Sequence, residues 1–244
     1  TSGGFFTSGC GTEIYQGRLF PREMVGQLFC CEPSNNVIHR SALTLDGSVY
    51  RARRTANESR SEFLASGDPW FRPVNLRVGP DGAMYIVDMY REIVEDYSAI
   101  PRFLQQRYGL SGGRKRGRIW RLIPSKARLR PVVEWQGASN AVLLAALADD
   151  NAWRRFTAQR LLIDRGGRAA VDGLTEMVRH DRSAVGRLHA LYTLEGLGAL
   201  RPQEIAVALN DAHSGVQLHA LQLSERVLPD NAETVVRLMR LTES

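Results

Sequence analysis

Between positions 73 and 88 the apolar residues follow two different patterns joined by a turn. Val74, Leu76 and Val78 alternate with Asn75 and Arg77, and Met84 to Val87 then run almost unbroken. Alternation predicts a strand with one solvated face, and the unbroken run predicts a buried partner. Gly79-Pro80-Asp81-Gly82 supplies the turn: Pro80 presets φ at the second position, Asp81 suits the third and Gly82 relieves the exit. The outer ends of an antiparallel hairpin share one edge. Asp68, Trp70 and Arg72, leading in, and Asp88, Tyr90, Arg91 and Glu92, leading out, are therefore predicted to face one site.

The first half of the chain keeps this character. GQLFCC (26–31) reads as a short strand, and NVIHRSALTL (36–45) as a longer one, with Asp46-Gly47 turning the chain before Val49 to Arg51. Residues 92–113 read as a polar excursion around Ile100-Pro101, and Ile119 to Ile123 as a further strand. Short strands between Gly, Pro and Asp turns, without a helical period, predict meandering sheets. The expected fold is β plus α: a partial β-propeller of roughly two blades over residues 1–125, a linker over 126–138, and α-helical repeats over 139–244. Two blades leave strand edges open. The front part is thus expected to be a slice of a larger propeller, or else a different β architecture.

After the linker the period changes. Leu143, Leu144 and Leu147 open one amphipathic helix, and Ala152 to Asp164 predicts another. DNAWRRFTAQRLL (150–162), DRSAVGRLHALYTL (181–194) and DAHSGVQLHALQL (211–223) resemble one another, with Asp150, Asp181 and Asp211 expected as helix N-caps. Val216, Ala220, Leu223 and Val227 form one helical stripe. Helix pairs at a fixed period predict a solenoid, and this period is shorter than that of ordinary HEAT units.

Composition adds limits. The 244 residues are 43% hydrophobic and 24% charged, as expected for a soluble globular protein, and no apolar run is long enough to span a bilayer. The net charge of +6 is uneven: residues 1–125 hold 17 Lys and Arg against 12 Asp and Glu. The excess permits nucleic-acid binding, but without a basic helix or interleaved aromatics it is a poor indicator, and nucleic acid is not the expected partner. Cys10, Cys30 and Cys31 show no CxxC, CxxCH or zinc spacing, so zinc and covalently held haem are not expected in this chain. Adjacent strand residues point to opposite faces, so only one of Cys30 and Cys31 could pair with Cys10.

The candidate chemistry lies in the β part. Asp88 ends an apolar strand, where a carboxylate needs a partner: Ca²⁺, a sugar hydroxyl, or Arg72 or Arg91. Arg72 and Arg91 suit a carboxylate-bearing quinone or an acidic sugar, and Arg53 and Arg54, with Arg40, extend the basic surface. His39 is a candidate general base for alcohol oxidation, because an imidazole titrates near working pH. Each also has a structural reading, as an ion-pair partner or a hydrogen-bonded strand residue. Trp70 and Phe71 are expected to pack between sheets.

The segments TSGCGTEIYQG (7–17), LFCCEPSNNVIHR (28–40), YRARR (50–54), EFLASGDPWFRPVNLRVGPDGAMYIVDMYREIVEDY (62–97) and RGRIWRL (116–122) resemble the membrane-bound dehydrogenase-like family of planctomycetes and their relatives. GRLHALYTLEGLG (186–198) is similar to that family's repeat region. The resemblance implies a propeller like those of quinoprotein glucose and sorbosone dehydrogenases, then HEAT-like repeats and, usually, a cytochrome c domain. It further implies a periplasmic or extracellular oxidoreductase acting on a sugar or polyol, with pyrroloquinoline quinone and Ca²⁺ as cofactors and haem only in the cytochrome domain. It makes Cys10–Cys31 the preferred disulfide. The reading from a different class is a non-catalytic propeller and repeat module that binds carbohydrate or a protein partner.

Overall fold

The computed structural model describes residues 6–47, 49–94, 97–107, 112–129, 131 and 133–225. The chain divides into two units, Thr1–Val132 and Val133–Ser244, the first mainly β and the second α.

The first unit holds two antiparallel sheets. β1 (Cys10–Ile14), β2 (Leu28–Glu32), β3 (Val37–Asp46) and β4 (Val49–Arg54) lie side by side in chain order, and β5 (Leu64–Ala65) pairs with the start of β3. β6 (Pro73–Val78), β7 (Met84–Asp88) and β8 (Arg118–Leu122) form the second sheet, again in chain order. The predicted hairpin is β6–β7. Gly82 takes φ +84°, and the turn closes through Gly79 N–H to Ala83 O at 2.9 Å and Gly82 N–H to Gly79 O at 3.0 Å. Asp81 receives the Ala83 N–H at 3.0 Å, the Tyr85 hydroxyl at 3.1 Å and the Arg121 guanidinium. Tyr15, Phe29, Cys31, Ile38, Phe71, Leu76, Met84 and Ile86 form the core of this unit. β1 crosses close to β6 at Gly11, where a Cβ would sit 2.5 Å from Asn75 Cα. Gly11 also has φ +55°, a conformation only glycine adopts cheaply.

One short helix, α1 (Arg102–Arg107), lies inside the segment read as a polar excursion. Its six residues are too few to show an apolar stripe. It starts from Pro101, whose carbonyl accepts the Leu104 and Gln105 N–H groups. A proline before the first turn costs no internal hydrogen bond. Of the two aromatics expected between sheets, Phe71 is buried, while Trp70 is half-exposed and lies 5.6 Å from the Tyr90 ring.

The second unit contains α2 (Asn140–Ala146), α3 (Ala152–Asp164), α4 (Val171–His180), α5 (Ala184–Gly196), α6 (Pro202–Leu209) and α7 (Ser214–Ser224). α2 packs on α3, α4 on α5 and α6 on α7; α3 also packs on α5 and α5 on α7. Leu143, Leu162, Leu174, Leu191, Leu194 and Ile205 are fully buried along this succession. Val216, Ala220 and Leu223 of the predicted stripe are buried, and Val227 lies outside the described residues.

The aspartates of the repeat are not the caps. Asn151, Ser183 and His213 cap α3, α5 and α7, and Asp149, Asp181 and Asp211 each accept the cap residue's N–H from two positions back. The first repeat therefore aligns on Asp149 rather than Asp150. Six residues beyond each aspartate a side chain returns to its carbonyl: Arg155 to Asp149, Arg187 to Asp181 and Gln217 to Asp211, each at 2.7 Å.

Candidate functional site

The hairpin brings its two ends together as expected. Met89 N–H donates to Arg72 O at 2.9 Å and Arg91 N–H to Trp70 O at 3.1 Å. Asp88, 1% exposed, sits between them. Its Oδ1 accepts Arg72 N–H at 2.8 Å and Tyr90 N–H at 2.9 Å; its Oδ2 accepts Arg118 Nε at 2.9 Å and Trp120 Nε1 at 3.1 Å. Burial pushes this carboxyl up, but the four donors outweigh it and hold it below the usual carboxylate range. A carboxylate has about four lone-pair directions, and here all are filled. Asp88 is thus placed as a structural anchor rather than as a calcium ligand. Among the described residues no group of three His, Cys, Asp or Glu side chains could hold a metal ion.

The partner of Asp88 also differs from the expected one. Arg118 fills the place assigned to the Arg72 or Arg91 side chain. Its guanidinium lies 3.9 Å from the Tyr90 ring centroid and 4.7 Å from that of Trp120, and it reaches Asp68 at 3.3 Å. Tyr90 takes φ +52°, costly for a bulky side chain and held by its bond to Asp88 and the cation above its ring.

Arg72 is turned inward on its own chain. It donates from Nε to Arg91 O at 2.9 Å, from Nη1 to Pro33 O at 2.7 Å and from Nη2 to Glu92 O at 2.8 Å. Burial lowers its pKa. Arg91 donates to its neighbour's carbonyl, Tyr90 O, at 3.3 Å. Arg53 stands opposite Ala42 and Arg54 opposite Ser41, on alternate faces of β4. Arg54 is bound to Glu62 at 2.7 Å, Ser61 O at 2.8 Å and Glu58 O at 3.1 Å. The residues implied for a quinone and its calcium do not fit that role as a set: Asp88 and Arg72 are occupied by their own chain, and Arg53 and Arg54 point to opposite faces.

His39 has the most reactive surroundings. It projects from β3 on the same face as Ser41, two residues on, so that one side chain can bridge to the other. Nδ1 lies 2.7 Å from Glu62 Oε2 and Nε2 lies 3.0 Å from Ser41 Oγ. Glu62 Oε1 is held by Arg54. Burial raises the Glu62 pKa, yet the hydrogen bonds from Arg54 and His39 win and its carboxyl titrates below the ordinary value. An ionised carboxylate at Nδ1 fixes that nitrogen as the N–H and leaves Nε2 as the basic one. Nucleophile, base and orienter are present in outline. Ser41 is 7% exposed, however, which suits holding the imidazole better than attacking a substrate. His39 stands 14% exposed at its side chain, with the Phe6 ring 5.0 Å away. Glu62 and Ser41 were not singled out from sequence. Ser41 could have been, from the i, i+2 spacing on a strand; Glu62, 23 residues away in a loop, left no local signal.

Cys10 stands directly opposite Cys31 across β1 and β2, and all three cysteines are free thiols in this structure. Burial pushes the Cys31 thiol up to about 12. The Cys30 thiol faces the Cys10 carbonyl at 3.5 Å.

A family model described as a domain of unknown function, DUF7133, matches residues 1–126. No curated protein and no solved structure matches the chain. Among the described residues no helix is long and apolar enough to cross a membrane.

Proposed function

We propose that this chain, which belongs to the DUF7133 family through a domain covering residues 1–126, is the catalytic-base portion of a secreted or periplasmic sugar or polyol oxidoreductase. The observation that carries this reading is the His39–Glu62 pair at 2.7 Å with its second nitrogen directed at a hydroxyl. A substrate hydroxyl that reaches Nε2 beside Ser41 loses its proton to that nitrogen. Glu62 stabilises the imidazolium formed, and Arg54 keeps Glu62 ionised while it does so. The two electrons of the alcohol pass to an acceptor that the arginines of this chain are not arranged to hold. In this reading the two sheets are blades of a larger propeller, whose remaining blades carry a quinone-class acceptor. The helix pairs open a HEAT-like solenoid, and a cytochrome c domain receives the electrons.

A second reading draws on a different observation. Asp88 and Arg72 spend their hydrogen bonds on their own chain, which suits a non-catalytic module that presents carbohydrate- or protein-binding surfaces. The full-length protein, supplied with pyrroloquinoline quinone, Ca²⁺ and a dye acceptor, distinguishes the two. Dye reduction with at least one sugar or polyol supports the oxidoreductase, and no reduction across a broad panel supports the binding module.

A further inference from the structure

Away from His39 and Asp88, the side chains of Arg18, Phe20, Arg22 and Val25 line a cavity of about 480 Å³. We propose that this cavity binds a small organic anion, with its carboxylate or phosphate between the two guanidiniums and its apolar body against Phe20 and Val25. Its volume lies within the ~300–1,000 Å³ of small-molecule sites. A guanidinium offers paired N–H donors that match two oxygens of either headgroup.

The segment that carries these residues is fixed from beneath. Tyr15 is fully buried; its hydroxyl accepts the N–H groups of Leu19 and Phe20, each at 3.0 Å, and donates to Gly82 O at 2.8 Å. The Tyr15 carbonyl accepts Gly26 N–H at 2.8 Å, which closes the other end of the segment. Between these points Met24 N–H donates to Pro21 O at 2.9 Å and Val25 N–H to Arg22 O at 3.1 Å. The backbone under both arginines is therefore set before a ligand arrives, and only side chains need ordering on binding. This proposal stands apart from the oxidoreductase reading, because none of its residues belongs to the His39 cluster.

Titration calorimetry of the 244-residue chain with benzoate, phenyl phosphate and uncharged benzyl alcohol tests it. At least one anion should bind with a Kd of about 1 mM or tighter, more weakly as salt rises, and benzyl alcohol should not bind measurably. Arg18→Gln and Arg22→Gln should each weaken that binding tenfold or more, whereas Arg51→Gln, an exposed arginine on β4, should leave it unchanged. Benzoate alone would assign a carboxylate ligand, and phenyl phosphate alone a phosphate. Binding by neither anion, equal binding of benzyl alcohol, or wild-type affinity in both the Arg18 and Arg22 variants would overturn the proposal.

Discussion

Arg118 donates its Nε to Asp88 Oδ2 at 2.9 Å, joining strand β8 to the end of β7 through a carboxylate shut away from water. The same carboxylate receives two backbone N–H groups and an indole N–H. Removing it strands several buried donors at once. Asp88→Ala is expected to lower the stability of the first unit by about 3–5 kcal/mol, measured by urea unfolding. Because Arg118 is partly exposed, Arg118→Ala should cost clearly less. Added Ca²⁺ should not raise the melting temperature of the wild type; a rise that Asp88→Asn abolishes would restore the metal reading.

Acid should unfold the first unit through the same residue and Asp81. Both carboxyls titrate below their ordinary range in the folded state. Their stabilisation is complete above the unfolded value near ~4 and is lost as pH falls through the depressed folded values. Equilibrium unfolding from pH 6 down to about 2 should therefore show a steep loss below ~4. Asp81→Asn with Asp88→Asn should start lower and flatten that limb.

The helical unit has a different pH signature. His189 is buried, receives Arg155 Nε at 3.2 Å and pairs with Gln159 at 2.6 Å. Burial, with the Arg155 charge beside it, lowers its pKa to about 4. The folded state resists protonating it, whereas the unfolded chain takes up the proton near ~6.5. Stability is thus complete above ~6.5 and is lost as pH falls from there toward the folded value, by an amount on the order of 3 kcal/mol. His189→Gln should remove that slope in unfolding monitored by helical circular dichroism.

Gly11 marks a tight crossing in the β unit, where β1 meets β6. Alanine there meets Asn75 Cα and Val74 O at 2.5 Å, at a φ of +55°. Gly11→Ala is expected to cost about 2 kcal/mol or more; a neutral result in thermal unfolding would mean that β1 and β6 do not approach as described.

The cross-strand register of Cys10 and Cys31 allows the disulfide that the resemblance implies. With the Cys31 thiol pushed up to about 12, its thiolate is scarce at neutral pH and oxidation should be slow, speeding up as pH rises. Unfolded after mild oxidation, the protein should titrate with one thiol, Cys30; three thiols would reject the bridge.

What the sequence revealed was local. The β6–β7 hairpin followed from alternation and the GPDG turn, and α3 from its period, because both patterns lie within a dozen or so residues. The partners that decide the chemistry lie far off: Arg118 and Trp120 are 30 and 32 residues from Asp88. Tertiary pairing alone brings them there, so the nearer Arg72 and Arg91 looked the better candidates. The one-residue offset between Asp150 and Asp149 arose because an Asp-Asp-Asn run offers three capping side chains, and only backbone direction selects Asn151.

The pH dependence of kcat/KM for dye reduction by the full-length protein, compared with His39→Gln and Glu62→Gln, tests the central claim most directly. The account predicts an acid limb in the wild type, the rate falling at low pH as one group takes up a proton. His39→Gln should lose that limb and fall by about 10²–10⁴ in rate, and Glu62→Gln should fall less and shift the limb to lower pH. Wild-type rates with an unchanged pH profile in both variants would contradict it.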